Sequence, residues 1–538
     1  MRGLVFAVCL ATSFCLAQDW IARYSTGQGE HDDARGLAVD QQGNSYVVGR
    51  AQGIELIKYS PGGEELWTRA YGGERFQYFG CMAAAVTRDN GVVVAAAVHQ
   101  SGSNGFCLLK YGLDGELVWD TVYWHSSAGE PVPFNSPVRV VIDASNRIYV
   151  TGSALTSATL ADIVVCRFGS TGGLDWSRIV DGPRHDFDAG DGIVLDATGD
   201  VLVSGTESGL NDRLNAVVLK YSAEGTPLWT YTYQPNSNWE TRGCDIAVAT
   251  GGRVYVTAWR HNVTGGPYET MLMTLTPSGE TLWTGADTAS SESPWASLAV
   301  DTAGGAYVVG KVARTMRTWK YSASGALAWK ADYSTIDTTS TYGVLATLSH
   351  DQGVYSTGYR FISEGGFAFL VVKYSAAGQH RWHVCAESMD NCVDRTVAAA
   401  VDPSDNLIVT GKSTHLEIQQ DDFITMKFRA SGAVEERQAT PVEPTHVILA
   451  SPSVVTSLCR FSVPAGERAS DLSIADITGS AVREIAVPAG RAGERVSVTW
   501  DARDEQGRPV PNGVYFVRTQ PQASSFKPQA SCKLIVQR

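Results

Sequence analysis

Between residues 58 and 440 the chain repeats one pattern eight times at fixed internal spacing. A basic residue precedes an aromatic one, glycine follows five positions after the basic site, and tryptophan nine positions after it. The copies are Lys58/Gly63/Trp67, Lys110/Gly115/Trp119, Arg167/Gly172/Trp176, Lys220/Gly225/Trp229, Thr274/Gly279/Trp283, Lys320/Gly325/Trp329, Lys373/Gly378/Trp382 and Lys427/Gly432/Glu436. Successive basic positions lie 46 to 57 residues apart. A repeat of this length with strand-like content marks stacked β units closing into a ring. The expected fold is all-β: an eight-bladed β-propeller of four-stranded blades over 18–440, then an Ig-like β-sandwich within 441–538. A seven-bladed ring would require the Thr274 copy to be displaced, against the register that Gly279 and Trp283 keep.

Each repeat carries three strand signals ahead of its tryptophan strand. In the first they are GLAVD (36–40), SYVVG (45–49) and IELIKYS (54–60), followed by EELWTRAY (64–71). Asp, Gly and Asn between the first two runs form a hairpin signal. Asp40, Asp143, Asp196, Asp301 and Asp402 end the first strand of their repeats, where a carboxylate can accept hydrogen bonds from turn amides. Small residues such as CMAAAV (81–86) suit a crowded axis, so the GLAVD-type strand is expected innermost and the tryptophan strand outermost. Trp67, Trp119, Trp176, Trp229, Trp283, Trp329 and Trp382 are then read as docking one blade on the next. The eighth copy has Glu436 in place of tryptophan, while Trp20 stands in WIARYSTG with no Lys-Tyr strand before it. Residues 19–25 are therefore expected to supply the outer strand of the last blade, which removes an exposed edge.

The first 17 residues read as a secretory signal: Arg2, an apolar stretch, and Cys15-Leu16-Ala17 with small residues for cleavage. No later apolar run is long enough to span a bilayer. A net charge of −13 with no basic tract argues against nucleic acid as a partner. Export permits disulfides, and spacing leaves two pairs open, Cys385–Cys392 and Cys459–Cys532. No CxxC pair or His/Cys metal spacing occurs.

Propeller loops entering the first strand share one end with those joining the second and third. Here they are rich in aromatic residues, which stack on sugars or grip peptides. Trp124, His125, Trp239, Trp259 and Trp295 are the candidate ligand contacts, beside Arg260, His261 and Tyr342. The alternative is that long loops fold their own aromatics over the blade ends. HDFDAGDG (185–192) places Asp186, Asp188 and Asp191 together as candidate calcium ligands, although Gly190 breaks the EF-hand pattern. Asp188 aligns with Asp32 and Asp394, eight residues before the strand-ending position, which favours a loop cap. No cofactor other than calcium is expected. No Ser/His/Asp order, GxSxG, HExxH or phosphate loop stands in a suitable context.

The repeats, with units close to VDxxGNxYVTG…KYxxxGxxxW, resemble the SBBP family of bacterial β-propeller repeats. That resemblance implies the propeller fold and an extracellular location, without a single activity. The GEELW-type turns are also similar to the repeats of quinoprotein dehydrogenases, but the adjacent cysteine pair of those enzymes is missing. After the Pro-containing linker QATPVEPTH (438–446), FSVPAGERASDLSIADITGSAVREI (461–485) reads as two strands and VSVTWDARDEQGRPVPNGVYFVR (496–518) as two more. Trp500-Asp501, Gly513-Val514-Tyr515-Phe516 and Lys533-Leu534-Ile535-Val536 resemble the FlgD-type Ig-like domain and the type A sorting domain of type IX secretion. Where such sorting domains often begin Pro-Asn-Pro, Ser451-Pro452-Ser453 stands instead.

These features describe a secreted or surface-displayed, non-enzymatic binding module for polysaccharide, protein or peptide. The Ig-like domain would serve export, anchoring or assembly and would meet the secretion machinery. Two other readings remain. One is an extracellular hydrolase or lyase using Asp186, Asp188 and Asp394. The other is a rigid spacer without a specific ligand.

Overall fold

The computed structural model describes residues 18–26, 32–72, 78–100, 103–126, 139–154, 160–210, 212–236, 238–290, 296–333, 340–362, 366–388, 392–415, 420–431, 449–451, 454–455, 459–464, 470–476, 480–487, 495–519 and 531–536. Residues 1–17, read from the sequence as a secretory signal, lie outside them. The chain divides into two compact units, Met1–Glu435 and Glu436–Arg538. The described residues of both are all β, and none of them forms a helix long and apolar enough to cross a membrane.

The first unit is a β-propeller architecture of four-stranded antiparallel sheets. In the first sheet Asp33–Val39, Ser45–Arg50, Ile54–Tyr59 and Glu65–Tyr71 pair in chain order. The two middle strands are buried almost throughout, whereas Glu65–Tyr71 alternates toward solvent. A sheet covered on both faces needs continuous apolar runs rather than alternation, which is why IELIKY carries no period of two. Five further four-stranded sheets follow in order, ending with Leu327–Tyr333. The remaining strands form one eight-stranded sheet, made of two four-stranded sets joined by a single parallel pair, Phe367 with Val393. The first strand of every set touches the first strand of the next, and Cys392–Val401 returns to touch Asp33–Val39. The apolar core lies between neighbouring sheets. One cluster joins Tyr46, Val48 and Leu56 of the first sheet to Val92, Val94 and Leu109 of the second.

The outer strand of the last set is Gln18–Tyr24, paired antiparallel with Gln420–Phe428. Trp20 sits opposite Lys427. The same register sets Trp67 opposite Lys58 and Trp229 opposite Lys220. Ala34, Val47, Ile57 and Tyr59 of the first sheet share a core with Phe423, covered by Trp20, Ala22 and Tyr24.

The repeat spacing has a direct cause at the turn end of the sheets. Trp20 Nε1 donates to the Pro61 carbonyl at 3.0 Å, Trp67 to Leu113 at 3.0 Å, Trp119 to Ser170 at 3.1 Å and Trp176 to Ala223 at 3.1 Å. Trp229 donates to Pro277 at 3.0 Å, Trp329 to Ala376 at 3.1 Å and Trp382 to Ala430 at 3.3 Å. Each acceptor lies two residues before the glycine of the next repeat. At four junctions the repeat lysine reaches the same carbonyl: Lys58 to Leu113, Lys320 to Ala376, Lys373 to Ala430 and Lys427 to Pro61. The glycine is required twice over. Gly63 has φ +84°, and a Cβ there would lie 2.6 Å from the Trp20 ring. Asp40 Oδ1 accepts from the amides of Gln42 and Asn44, and Asp143, Asp196, Asp301 and Asp402 hold their turns in the same way.

Two readings of the sequence are corrected. Cys392 is a buried free thiol, so it makes no bridge to Cys385. Residues 461–485 hold parts of three strands rather than two, because the chain leaves its first strand at Pro464 and re-enters at Ser470. Proline has no amide to donate to a ladder, so the strand stops there. The second unit is a sandwich: Leu449–Ser451, Cys459–Pro464 and Arg495–Trp500 form one sheet, and five strands including Gly513–Thr519 and Ser531–Val536 form the other. Trp500 is buried edge-to-face against Tyr515, whose hydroxyl donates to the Pro511 carbonyl at 2.8 Å. The Cys532 side chain lies outside the described residues.

Candidate functional site

With the turn end occupied by docking contacts, the opposite end carries the exposed chemistry. In the fifth sheet the Arg260 guanidinium lies 4.6 Å from the Trp239 ring, pairs with Glu269 at 2.6 Å and donates to Tyr233 Oη at 3.2 Å. His261 stacks on Tyr268 at 4.3 Å. In the set that starts with Thr341–Leu348, Tyr342 stands opposite Tyr359 and the rings stack at 4.7 Å. Phe367 meets both edge-on, Lys311 lies 4.1 Å over Tyr342, and Arg395 approaches Phe367 from the following set. These rings are half-buried. Rings that keep an exposed edge beside fixed cations suit combined stacking and polar contacts with a ligand.

The sequence candidates separate on this end. Trp239 is half-buried and Trp124 is 39% exposed at the end of its strand. Trp259 is buried, edge-to-face with Tyr268, and presents no open ring face. The side chain of His125 and the whole of Trp295 lie outside the described residues.

The acidic candidates also part company. Asp188 is fully buried and accepts amide hydrogen bonds from Gly182 at 2.5 Å and Ser208 at 2.7 Å. Asp32 takes the Thr26 amide and Asp394 the Ser388 amide at the same six-residue separation. All three therefore cap their own loops. Burial raises the Asp188 carboxyl to about 6 against those amides, with Asp162 and Asp181 adding to the rise. Asp191 is buried and pushed up to about 7 by desolvation, with Arg242 at 3.9 Å opposing. Among the described residues, the acidic group close enough to share a cation is Asp162, Asp181 and Asp188, with ligand atoms within 4.8 Å of one another. Asp186 and Asp191 stand outside it, as does Asp394. Calcium favours six to eight oxygens, and Asp188 already spends both of its oxygens on backbone amides.

Asp162, Asp181, Lys311, Glu269 and Arg395 were not singled out from the sequence. Glu269 faces Arg260 across one hairpin, whereas Lys311, Arg395, Asp162 and Asp181 reach the candidates from a neighbouring sheet or loop.

Comparison with known proteins gives the same architecture. Residues 19–54 match the SBBP β-propeller repeat family and residues 455–524 the FlgD Ig-like domain family. The chain thus carries a β-propeller repeat segment and an FlgD-type Ig-like domain. No curated protein matches it in sequence. Among solved structures, the polysaccharide lyase Uly1 is 13% identical, with 77% of this chain and 99% of that one covered and a TM-score of 0.44. PorZ, a type-IX secretion surface component of Porphyromonas gingivalis, is 10% identical over 94% and 81%, with a TM-score of 0.25. The Hadza microbial sialidase Hz136 is 10% identical over 62% and 73%, with a TM-score of 0.36. Likeness at these levels carries nothing about activity.

Proposed function

We propose that the first unit is an eight-bladed propeller, closed by its N-terminal strand, that binds an extracellular polysaccharide or peptide at its loop end. Residues 1–17 would direct export, and the FlgD-type domain would serve sorting, anchoring or assembly. One observation carries the reading: the loop end offers half-buried rings held beside cations, Trp239 with Arg260 and Tyr342 with Lys311. The acids named for catalysis, Asp188 and Asp394, are meanwhile engaged by backbone amides.

A thermal-shift screen of the full chain against polysaccharides, peptides and calcium tests this. A ligand at ~100 times its dissociation constant adds about 2.7 kcal/mol. The expected result is a polysaccharide or peptide hit that Trp239→Ala or Tyr342→Ala removes. A flat screen contradicts the reading and favours the spacer. An enzymatic reading draws on the Asp162/Asp181/Asp188 group alone. Turnover of a screened polysaccharide, lost in Asp181→Asn, would establish it.

A further inference from the structure

In the fifth repeat Ala249 stands where five other repeats carry the strand-ending Asp, and Thr274 where every other repeat carries lysine or arginine. The backbone there is unchanged. Ala249 N donates to Arg253 O at 2.9 Å and Gly252 N to Ala249 O at 3.0 Å, as Asp40 N does to Asn44 O and Gly43 N to Asp40 O. What has changed is charge. In the third repeat the arginine at the same turn position, Arg147, is held by Asp143 at 2.6 Å. Elsewhere Lys220 meets Asp196, Lys320 meets Asp301 and Lys427 meets Asp402. Arg253 has no such acid among the described residues. Its Nη1 donates to the Ala323 carbonyl and approaches Tyr255 Oη at 3.5 Å. Ala323 O is the acceptor that Trp283 would use by the rule of the other junctions. Trp283 Nε1 is accordingly buried without a partner, and so is Thr274 Oγ1.

The missing carboxylate and lysine leave a depression of about 470 Å³ between the fifth and sixth sheets, lined by Arg253, Tyr255, Thr250, Gly251, Thr276 and Thr302 among others. Among the described residues Arg253 Nε and Nη2 make no hydrogen bond or ion pair, and the depression is lined by hydroxyls and glycine backbone with no acid. A guanidinium fork of this kind takes an oxyanion by two parallel hydrogen bonds. We infer that this depression is a second binding site, for a small oxyanion: the carboxylate of a sugar acid or other organic acid, or a sulfate. It lies at the opposite end of the sheets from the aromatic rings and does not depend on what they bind.

The test uses the full chain, titrated with acetate, glucuronate and sulfate at ionic strength held constant with sodium chloride. Saturable binding is expected for at least one probe. Ala249→Asp restores the residue that five other repeats carry, on a turn that already has their geometry. It should keep the fold and weaken binding at least tenfold, because its carboxylate occupies the guanidinium. Arg253→Gln should weaken binding to the same degree, with circular dichroism reporting that the fold is kept. Binding of acetate or glucuronate without sulfate assigns a carboxylate ligand, and sulfate alone assigns an inorganic oxyanion. No saturable binding in the wild type, or equal affinity in Ala249→Asp, overturns the inference.

Discussion

Replacing Trp20 by alanine should loosen the whole ring, because the proposed closure makes this one residue the docking tryptophan between last and first blades. The ring is half-buried, donates to the Pro61 carbonyl at 3.0 Å and lies against Gly63. A buried tryptophan removes about 150–250 Å² from water, so half burial corresponds to roughly 100 Å², or about 2.5 kcal/mol at ~25 cal/mol/Å². The hydrogen bond contributes about 1 kcal/mol more. The expected loss is therefore about 3.5 kcal/mol, in the lower part of the range for Trp→Ala. Trp229→Ala is the internal standard, since Trp229 makes the same 3.0 Å contact to Pro277 in mid-chain. Chemical denaturation followed by hydrogen exchange separates the outcomes. Equal losses, with faster exchange in Ile54–Tyr59 as well as Gln420–Phe428, are expected. A Trp20→Ala loss below about 1 kcal/mol, with exchange raised only in Gln18–Tyr24 and its partner strand, would refute the closure.

Other perturbations follow from the same contacts. Burial holds the Glu55 carboxyl, which accepts from Tyr24 Oη at 2.7 Å, up to about 7 from 4.5. The folded state thus keeps a proton that the unfolded chain has lost, and stability present below pH 4.5 falls as pH rises toward 7, by on the order of 3 kcal/mol. Glu55→Gln should flatten that part of the pH–stability profile, and an unchanged slope would contradict the assignment. Gly225→Ala should cost about 2–4 kcal/mol, because it adds left-handed strain to a Cβ 2.6 Å from the Trp176 ring. Gly199→Ala, at φ +84° with nothing within 4 Å, should cost only about 1 kcal/mol by melting temperature. Asp188→Asn should destabilise equally in calcium and in chelator, because its oxygens hold amides. A calcium-dependent rise in melting temperature that disappears in this variant would instead assign a metal to Asp162, Asp181 and Asp188.

The turn end was legible because one carbonyl serves two donors. The lysine and tryptophan must both reach the residue two before the next glycine, which leaves little freedom in their spacing. That is also why Trp20 could be recognised as the displaced ninth-position residue of Lys427. At the loop end the residues themselves were named, Trp239, Arg260 and Tyr342 among them, but their pairing was not legible, for a different physical reason. First strands carry a bulge at a recurring place, between Ala34 and Gly36, Gly190 and Gly192, Gly243 and Asp245, Gly343 and Leu345, and Thr396 and Ala398. One extra residue turns every side chain beyond it to the other face. Counting outward from the hairpin turn therefore misplaces Tyr342 relative to Tyr359 and Trp239 relative to Arg260. The grouping of Asp162 with Asp181 and Asp188 spans two sheets and left no local trace. The missing repeat lysine at Thr274 was visible, but the loss of the turn acid at Ala249 and the capture of the Ala323 carbonyl by Arg253 needed the turn geometry.

Binding by the loop end of the first unit has a decisive experiment. Titration calorimetry of the full chain with the polysaccharide or peptide found by the screen tests it most directly, comparing wild type, Trp239→Ala, Tyr342→Ala and Trp500→Ala where each remains folded. Affinity should weaken tenfold or more in the two loop-end variants and stay unchanged in the Ig-like domain variant. Unchanged affinity in both loop-end variants, with loss in Trp500→Ala, would place the binding in the second unit and contradict it.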